Sequence, residues 1–398
     1  KPKEKALNNI AAIKLSLSIE AEERTATRDE QAILAKFVGW GPLSKWLKDR
    51  HKLSYAEAQL QDEIREALGE EDYQAARVAS LNSHYTDPRV VQEMYALLER
   101  LGVRGGRFLE PSVGSGLFLG MQPRTMAANT RWLAGDLDPT TARIARLLYP
   151  EAAVHTIGFQ KLVVADNSID VAISNVPFGN YPIADRSMPK EVRQQIHDYF
   201  FARTLQKVRP GGLVVFITSA GTMDKGSTVV REYLQKNGAS LVTSIRLPAG
   251  AFQDIAATQV TTDLIVLQKA PDREGPAWTK AVQVEQDGHT FTVNEYYREH
   301  PEQMLGELSM AGSMYRANSQ ELKPREGEEL VEALRTAVAR VPEGLYTPAA
   351  AVPASPKTPV KVEGVTATVR VGSYQLDKGG QILVRRPDGM EVADVPAS

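Results

Sequence analysis

Residues 84–270 alternate short apolar runs of β type with stretches at helical spacing, and no other feature limits the fold of this chain so tightly. Parallel strands need long crossover connections, and helices supply them, so the pattern calls for an α/β domain with a mainly parallel sheet. Strands are expected at 107–110, 131–136, 153–156, 170–175, 213–218, 241–247 and 263–268. Helices are expected at 88–101, 140–148, 197–208 and 228–236. Each strand carries Val, Ile, Leu or Phe, and Gly or Pro punctuates most junctions. Seven strands in this order fit a doubly wound, Rossmann-like sheet.

The flanks read differently. Residues 1–80 form a helical N-terminal extension, with apolar residues at helical spacing over 29–46 and 55–68. Gly39-Trp40-Gly41-Pro42 breaks the first of these stretches. The α/β domain then occupies 81–272. A polar, partly helical extension covers 273–345, with its clearest helical pattern at 328–341. An Ala/Pro/Thr-rich linker spans 346–365. A small β module follows at 366–398, with turns at Lys378-Gly379-Gly380 and Pro387-Asp388-Gly389.

Composition narrows the class. Hydrophobic residues are 42% and charged residues 24% of the 398, which suits a globular chain of roughly two to three domains. The net charge is -2 and the pI about 6.4, so any basic surface must be local. There is no cysteine, which excludes disulfides and thiolate metal sites, and no metal is expected. No apolar run is long enough for a membrane span, and no signal peptide is expected. The chain opens at Lys1 within a charged helical pattern and without Met, so it reads as a piece of a longer protein.

The strongest local feature is Phe108-Leu109-Glu110-Pro111-Ser112-Val113-Gly114-Ser115-Gly116. A strand ends in an acid and runs into a Gly-rich turn, where a backbone without Cβ atoms can approach a ligand. No Lys-Ser/Thr follows, so this is not a Walker loop, and the full G-x-G-x-x-G spacing is missing. Alone it could be a tight strand–helix turn. Asp136, 26 residues after Glu110, ends the second strand and is placed to accept from ribose hydroxyls. Thr86 precedes the helix into the first strand and either caps it or closes over the ligand. Phe159, just past the third strand, either stacks on a base or packs in the core.

The fourth strand ends in Asn175-Val176-Pro177-Phe178-Gly179. The exocyclic amine of adenine is a poor nucleophile because its lone pair is delocalised into the ring. Two acceptors aimed at its protons favour a tetrahedral nitrogen, and they act most strongly as it attacks. The Asn175 side-chain oxygen supplies one acceptor. The Val176 carbonyl supplies the other, fixed in direction because Pro177 restricts the residue before it. Phe178 offers a π face to a base held out of the duplex. A plain strand-terminating turn is the bland alternative.

These segments together resemble the γ-class amino-methyltransferases. More closely, they resemble the adenine-specific DNA methylase domains of large methylase–helicase proteins carried by phages, plasmids and integrative elements. The phrases that carry the resemblance are 37–41, 81–86, 175–179, 197–201, 208–212 and 221–225, and it covers roughly 30–310. It implies a seven-stranded S-adenosylmethionine-dependent methyltransferase fold, with DNA as substrate and a helicase region in the same full-length protein. It also implies cytoplasmic action in a bacterial host, in restriction–modification or self-protection. By position, Asn175, Val176, Pro177 and Phe178 would be catalytic. Thr86, Glu110, Pro111, Gly114, Gly116, Asp136 and Phe159 would bind the cofactor. Two departures stand out. Val176 replaces the first Pro of N-P-P-F/Y, and Gly158 stands where the broader class often has an acid for the cofactor adenine.

The segment 180–195 carries Arg186, Lys190 and Arg193 beside the catalytic motif, as either a phosphate-contacting lid or a solvated loop. Lys225 and Arg246 lie near strand ends on the same side. The competing readings are a non-catalytic cofactor- or DNA-binding module of a helicase, and the same chemistry on RNA adenine or protein glutamine.

Overall fold

The computed structural model describes residues 2–41, 46–47, 50–80, 86–249, 251, 260–310, 320–349, 374–376, 382–386 and 389–392. The chain forms two compact units, 1–348 and 349–398.

The first unit opens with three helices, α1 (Pro2–Ala21), α2 (Arg28–Leu34) and α3 (Tyr55–Ser80), the last broken at Gly69. A reciprocal capping box of Thr27 and Glu30 starts α2, which ends at Leu34, ahead of the expected break at 39–42. Next come α4 (Pro88–Arg100), β1 (Gly106–Glu110), α5 (Leu117–Met121), α6 (Arg124–Ala127), β2 (Thr130–Asp136), α7 (Pro139–Leu148), β3 (Ala153–Thr156) and β4 (Ile169–Asn175). After them follow α8 (Ile196–Lys207), β5 (Val208–Ser219), α9 (Gly221–Asp224), α10 (Val229–Lys236), β6 (Ala239–Leu247) and β7 (Thr262–Lys269). The helix starts obey sequence logic. Asp87 and Asp138 each cap a helix whose first residue is Pro, accepting from Arg89 N and Thr141 N.

The seven expected strands make one sheet in the order β3-β2-β1-β4-β5-β7-β6. It is the Rossmann-like sheet that the resemblance implies. All pairings are parallel except those of β7, which runs antiparallel between β5 and β6. The chain leaves β1 towards β2 and β3 on one side, and β4 lies on the other. The crevice at the carboxyl ends of β1 and β4 is therefore a topological switch point, where ligands bind in such sheets.

Both faces of the central strands are covered, which is why they read as continuous apolar runs. Leu213, Val215 and Ile217 of β5 join Phe108, Val171 and Ile173 in the core under α4. Val214 and Phe216 face the opposite core with Leu109, Ala172 and α8. The N-terminal helices form a third core around Ile13, Trp40 and Ile64, which reaches Ile144 of α7.

The region after β7 holds more strand than its polar composition suggested. β8 (Ala281–Gln286) and β9 (His289–Asn294) form an antiparallel hairpin. Its turn is Asp287-Gly288, both at positive φ (51° and 75°), the geometry that Asp-Gly favours. Phe291 and Val293 of β9 belong to the α8-side core. Three short elements follow, α11 (Glu295–Glu299), β10 (Glu307–Ser309) and β11 (Glu321–Lys323). Then α12 (Leu330–Ala339) packs Leu334 and Ala337 into the core under α4, where Arg335 pairs with Glu93.

The second unit contains β12 (Tyr374–Leu376), β13 (Ile382–Arg386) and β14 (Gly389–Val392), an antiparallel three-stranded sheet. Most of the expected linker, the 378–380 turn and residues 387–388 lie outside the described residues.

If the hairpin is part of the main core, Phe291→Ala should lower the unfolding free energy by roughly 3–5 kcal/mol in urea denaturation. A loss under about 1 kcal/mol would mean that 281–294 unfolds apart from the sheet.

Candidate active site

A cavity of about 520 Å³ opens at the switch point. It is lined by the carboxyl ends of four adjacent strands. β1 contributes Glu110 and the turn Pro111–Ser115, β2 Asp136 to Asp138, β3 the stretch Ile157 to Gln160, and β4 Asn175 with Pro177. Eight residues singled out from the sequence thus meet in one place, namely Thr86, Glu110, Pro111, Gly114, Asp136, Phe159, Asn175 and Pro177.

The Gly-rich turn is held by Asp136. Its Oδ2 accepts from Gly114 N at 2.8 Å, and its Oδ1 accepts from Asp138 N at 2.9 Å. Gly114 sits at φ 53°, in the left-handed region, with open space where a Cβ would stand. Glycine is there for backbone conformation. Gly116 shares the left-handed backbone, at φ 81°, and has a second job. It does not line the cavity, and a Cβ on it would run into the Tyr149 ring. It lets α5 pack against the end of α7.

Three acids line the cavity. Glu110 is 1% exposed, and its Oε2 has no hydrogen-bond partner among the described residues. Burial, helped by the negative charge of Asp136, holds its pKa well above the usual carboxylate range. Burial also pushes Asp136 up to about 6, although backbone N–H groups partly offset it. Asp138 is raised by burial too. A desolvated acid cluster of this kind favours a ligand that carries positive charge and hydroxyl donors.

On the other side of the switch point, Asn175 Nδ2 donates to Thr86 Oγ1 at 3.1 Å. That bond holds the Asn175 side chain in place at the end of β4. Thr86 is buried, and its neighbour Asp87 caps α4. The Val176 side chain is fully buried and its N–H bonds Ile217 O, which anchors the start of the motif. Phe178 is half-buried and lies beyond the lining residues.

Several wall residues carried no functional signal on their own. Trp40 is 1% exposed and comes from the N-terminal helical layer, yet it lines this cavity. Its indole N–H donates to Asp138 Oδ2 at 2.9 Å. Buried Asn9 holds the preceding backbone, donating to Gly39 O and accepting from Val38 N. The only sequence signal for Trp40 was its place in the 37–41 phrase. Gln160, Tyr181, Ile183, Ile196 and Phe200 complete the wall beside Phe159, which packs against Phe200 with ring centroids 5.2 Å apart.

The 180–195 segment is not a free lid. Ile183 N donates to Arg193 O, and Asp185 accepts from Ser187 N and from Tyr199 Oη at 2.7 Å. Met188 and Val192 are buried in the core. Arg186 and Lys190 are exposed on it, and Arg193 is half-buried. Lys225 and Arg246 are ion-paired inside the protein. Lys225 Nζ bonds Asp198 at 2.6 Å. Arg246 is 1% exposed, clamped by Asp224 and Asp263 and lying 4.2 Å from the Tyr297 ring centroid. Their charges are spent on internal carboxylates rather than presented to phosphates.

Asp136 gives a pH signature. Its folded pKa of about 6 exceeds the ordinary 3.8, so the folded state holds more protons between those values. Stability should therefore fall as pH rises from about 4 to about 6. The size is on the order of 2 kcal/mol, kept below the full shift because Asp136 is only half-buried. Asp136→Asn should flatten that part of the urea-midpoint profile; an unchanged slope would show that another group titrates.

No family model matches the chain. It is similar to the defense against restriction protein B of Escherichia phage P1, with 30% identity over 220 residues. The match takes in 54% of this chain and 9% of that protein, so the chain spans about a tenth of the relative's length. This phage relative agrees with the resemblance read from the sequence. Among solved structures, one similar chain is the EcoKI M protein of a type I restriction enzyme, with 14% identity and a TM-score of 0.41, covering 85% of this chain and 90% of that one. Another is the methyltransferase subunit of a type I restriction-modification system from Streptococcus thermophilus, with 13% identity and a TM-score of 0.42, covering 75% and 86%. No described helix is long and apolar enough to cross a membrane.

Proposed function

We propose that this chain transfers a methyl group from S-adenosylmethionine to the exocyclic N6 amine of adenine in DNA. We further propose that it does so within a longer methylase–helicase protein in the cytoplasm of a bacterial host. One observation carries the reading. Asn175 and the three acids Glu110, Asp136 and Asp138 line one cavity, at the ends of β4, β1 and β2.

The residues present fit the cofactor. Glu110, buried and with an unpartnered oxygen, suits the positive charge of a sulfonium and an ammonium group. Asp136 already accepts two backbone N–H groups, and a carboxylate has lone pairs left for ribose hydroxyls. The Gly114 turn brings backbone to the ligand without a side chain between. When bound, the cofactor supplies an electrophilic methyl group.

The protein's part is to make a weak nucleophile attack. Asn175 Oδ1 and the Val176 carbonyl accept from the two protons of the target amine. Their pull strengthens as the nitrogen turns tetrahedral, so the transition state gains more than the ground state. The Thr86 bond and the Pro177 ring fix these two acceptors before the substrate arrives. Phe178 stacks on the extruded base. No group of shifted pKa is needed, since the proton can leave after the methyl transfer. The name of the phage relative, defense against restriction, favours a role in protecting mobile DNA from restriction.

The test uses radiolabelled S-adenosylmethionine with unmethylated duplex DNA, RNA and a glutamine peptide. Label is expected in DNA, recovered as N6-methyladenine. Asn175→Ala should cut the rate by roughly 10²–10³-fold while calorimetric cofactor affinity stays within about threefold. Label in RNA or peptide alone would move the substrate. Cofactor binding with no label in any substrate would favour a non-catalytic module, and no binding at all would end the enzymatic reading.

A further inference from the structure

Gln160 lines the cavity, half-buried, and no described residue hydrogen-bonds its side-chain amide. An amide has one acceptor oxygen and two donor hydrogens side by side, and here they are open to whatever fills the cavity. Beneath it lies Gly158, at φ -70° and ψ 149°, a conformation open to any residue. Backbone geometry therefore gives no reason for glycine at 158. Space does. A Cβ there would stand 2.6 Å from Gln160 Oε1 and 2.8 Å from Nε2. The bare glycine is the shelf on which the amide rests.

The position of that amide says what it faces. Ile157 N bonds Asp136 O at 2.7 Å, so the β3 end lies one strand from the carboxylate that suits a ribose. Neighbouring strands are roughly 4.8 Å apart. A base attached to a ribose held at Asp136 would extend over the β3 end, against Phe159, Phe200 and Gln160. Adenine presents an amine donor beside a ring-nitrogen acceptor, and a glutamine amide pairs with that edge through two bonds. We propose that Gln160 reads the adenine ring of the bound cofactor, in space that Gly158 leaves open for it. This rests on the cofactor reading above. A neutral amide both donates and accepts, so it can pair with both atoms of that edge at once.

The test is a double-variant cycle read by calorimetry with S-adenosylhomocysteine. Gln160→Ala should weaken binding about tenfold, the worth of two modest hydrogen bonds. Gly158→Ala displaces only the far end of a flexible side chain, so the melting temperature without ligand should hold. Its affinity should nonetheless drop severalfold. In the Gln160→Ala background the same change should have almost no effect. An analogue whose purine lacks the 6-amino group should lose most of its dependence on Gln160. Gln160→Ala binding within about twofold of wild type would overturn the proposal. So would a Gly158→Ala loss that persists without Gln160, because that would mean direct contact with the ligand. If wild type binds no S-adenosylhomocysteine while remaining folded, the cofactor reading fails and this one falls with it.

Discussion

The adjacency of β1 and β4 is the constraint on which the rest depends. Phe108 and Leu109 of β1 lie in register with Val171 and Ala172 of β4, with apolar layers on both faces. β1 is buried from Phe108 to Glu110, and β4 from Ile169 to Ser174. Polar function can appear only where a strand runs out of sheet. Glu110 and Asn175 are those terminal residues. Because the chain departs from β1 and β4 in opposite directions, their ends part into a crevice instead of being roofed by one connection.

The crevice also gathers acids whose ionised forms burial disfavours. Glu110, Asp136 and Asp138 are held together with raised pKa values, while most other buried charges are matched locally, as Arg246 is by Asp224 and Asp263. Glu110 Oε2 and Asp138 Oδ1 are among the buried oxygens with no hydrogen-bond partner among the described residues, and both residues line this cavity. Unmet polar demand at a strand terminus is what a charged, hydroxyl-bearing ligand can satisfy.

The N-terminal helices and the region after β7 are integral to this arrangement rather than appendages. Asn9 of α1 fixes the backbone at 38–39, and the next residue, Trp40, reaches Asp138 in the cavity wall. On the far side, Asn294 at the end of β9 donates to Met223 O and Trp278 O, and its backbone N–H bonds Asp224, a partner of Arg246. These long-range polar links hold the ends of the sheet in register with the elements packed around it.

By itself, the sequence determined the seven strands of the main sheet, the longer helices between them, and the acids and amide at strand ends. Period-2 and continuous apolar runs are local properties, and Gly, Pro and Asp mark the turns between them. The 153–156 strand falls on the expected residues, and the other six differ by at most a few residues at their ends, most at the start of β5. The β8–β9 hairpin was missed, because the polar composition of its surroundings hid the alternation around Asp287-Gly288. Only the tertiary structure decided which polar residues face the cavity. Lys225 and Arg246 are turned inward to carboxylates far off in sequence, and Gly116 serves a tyrosine 33 positions away. Trp40 and Gln160 enter the site by long-range packing. A side chain's partner is set by three-dimensional proximity, which no local period encodes.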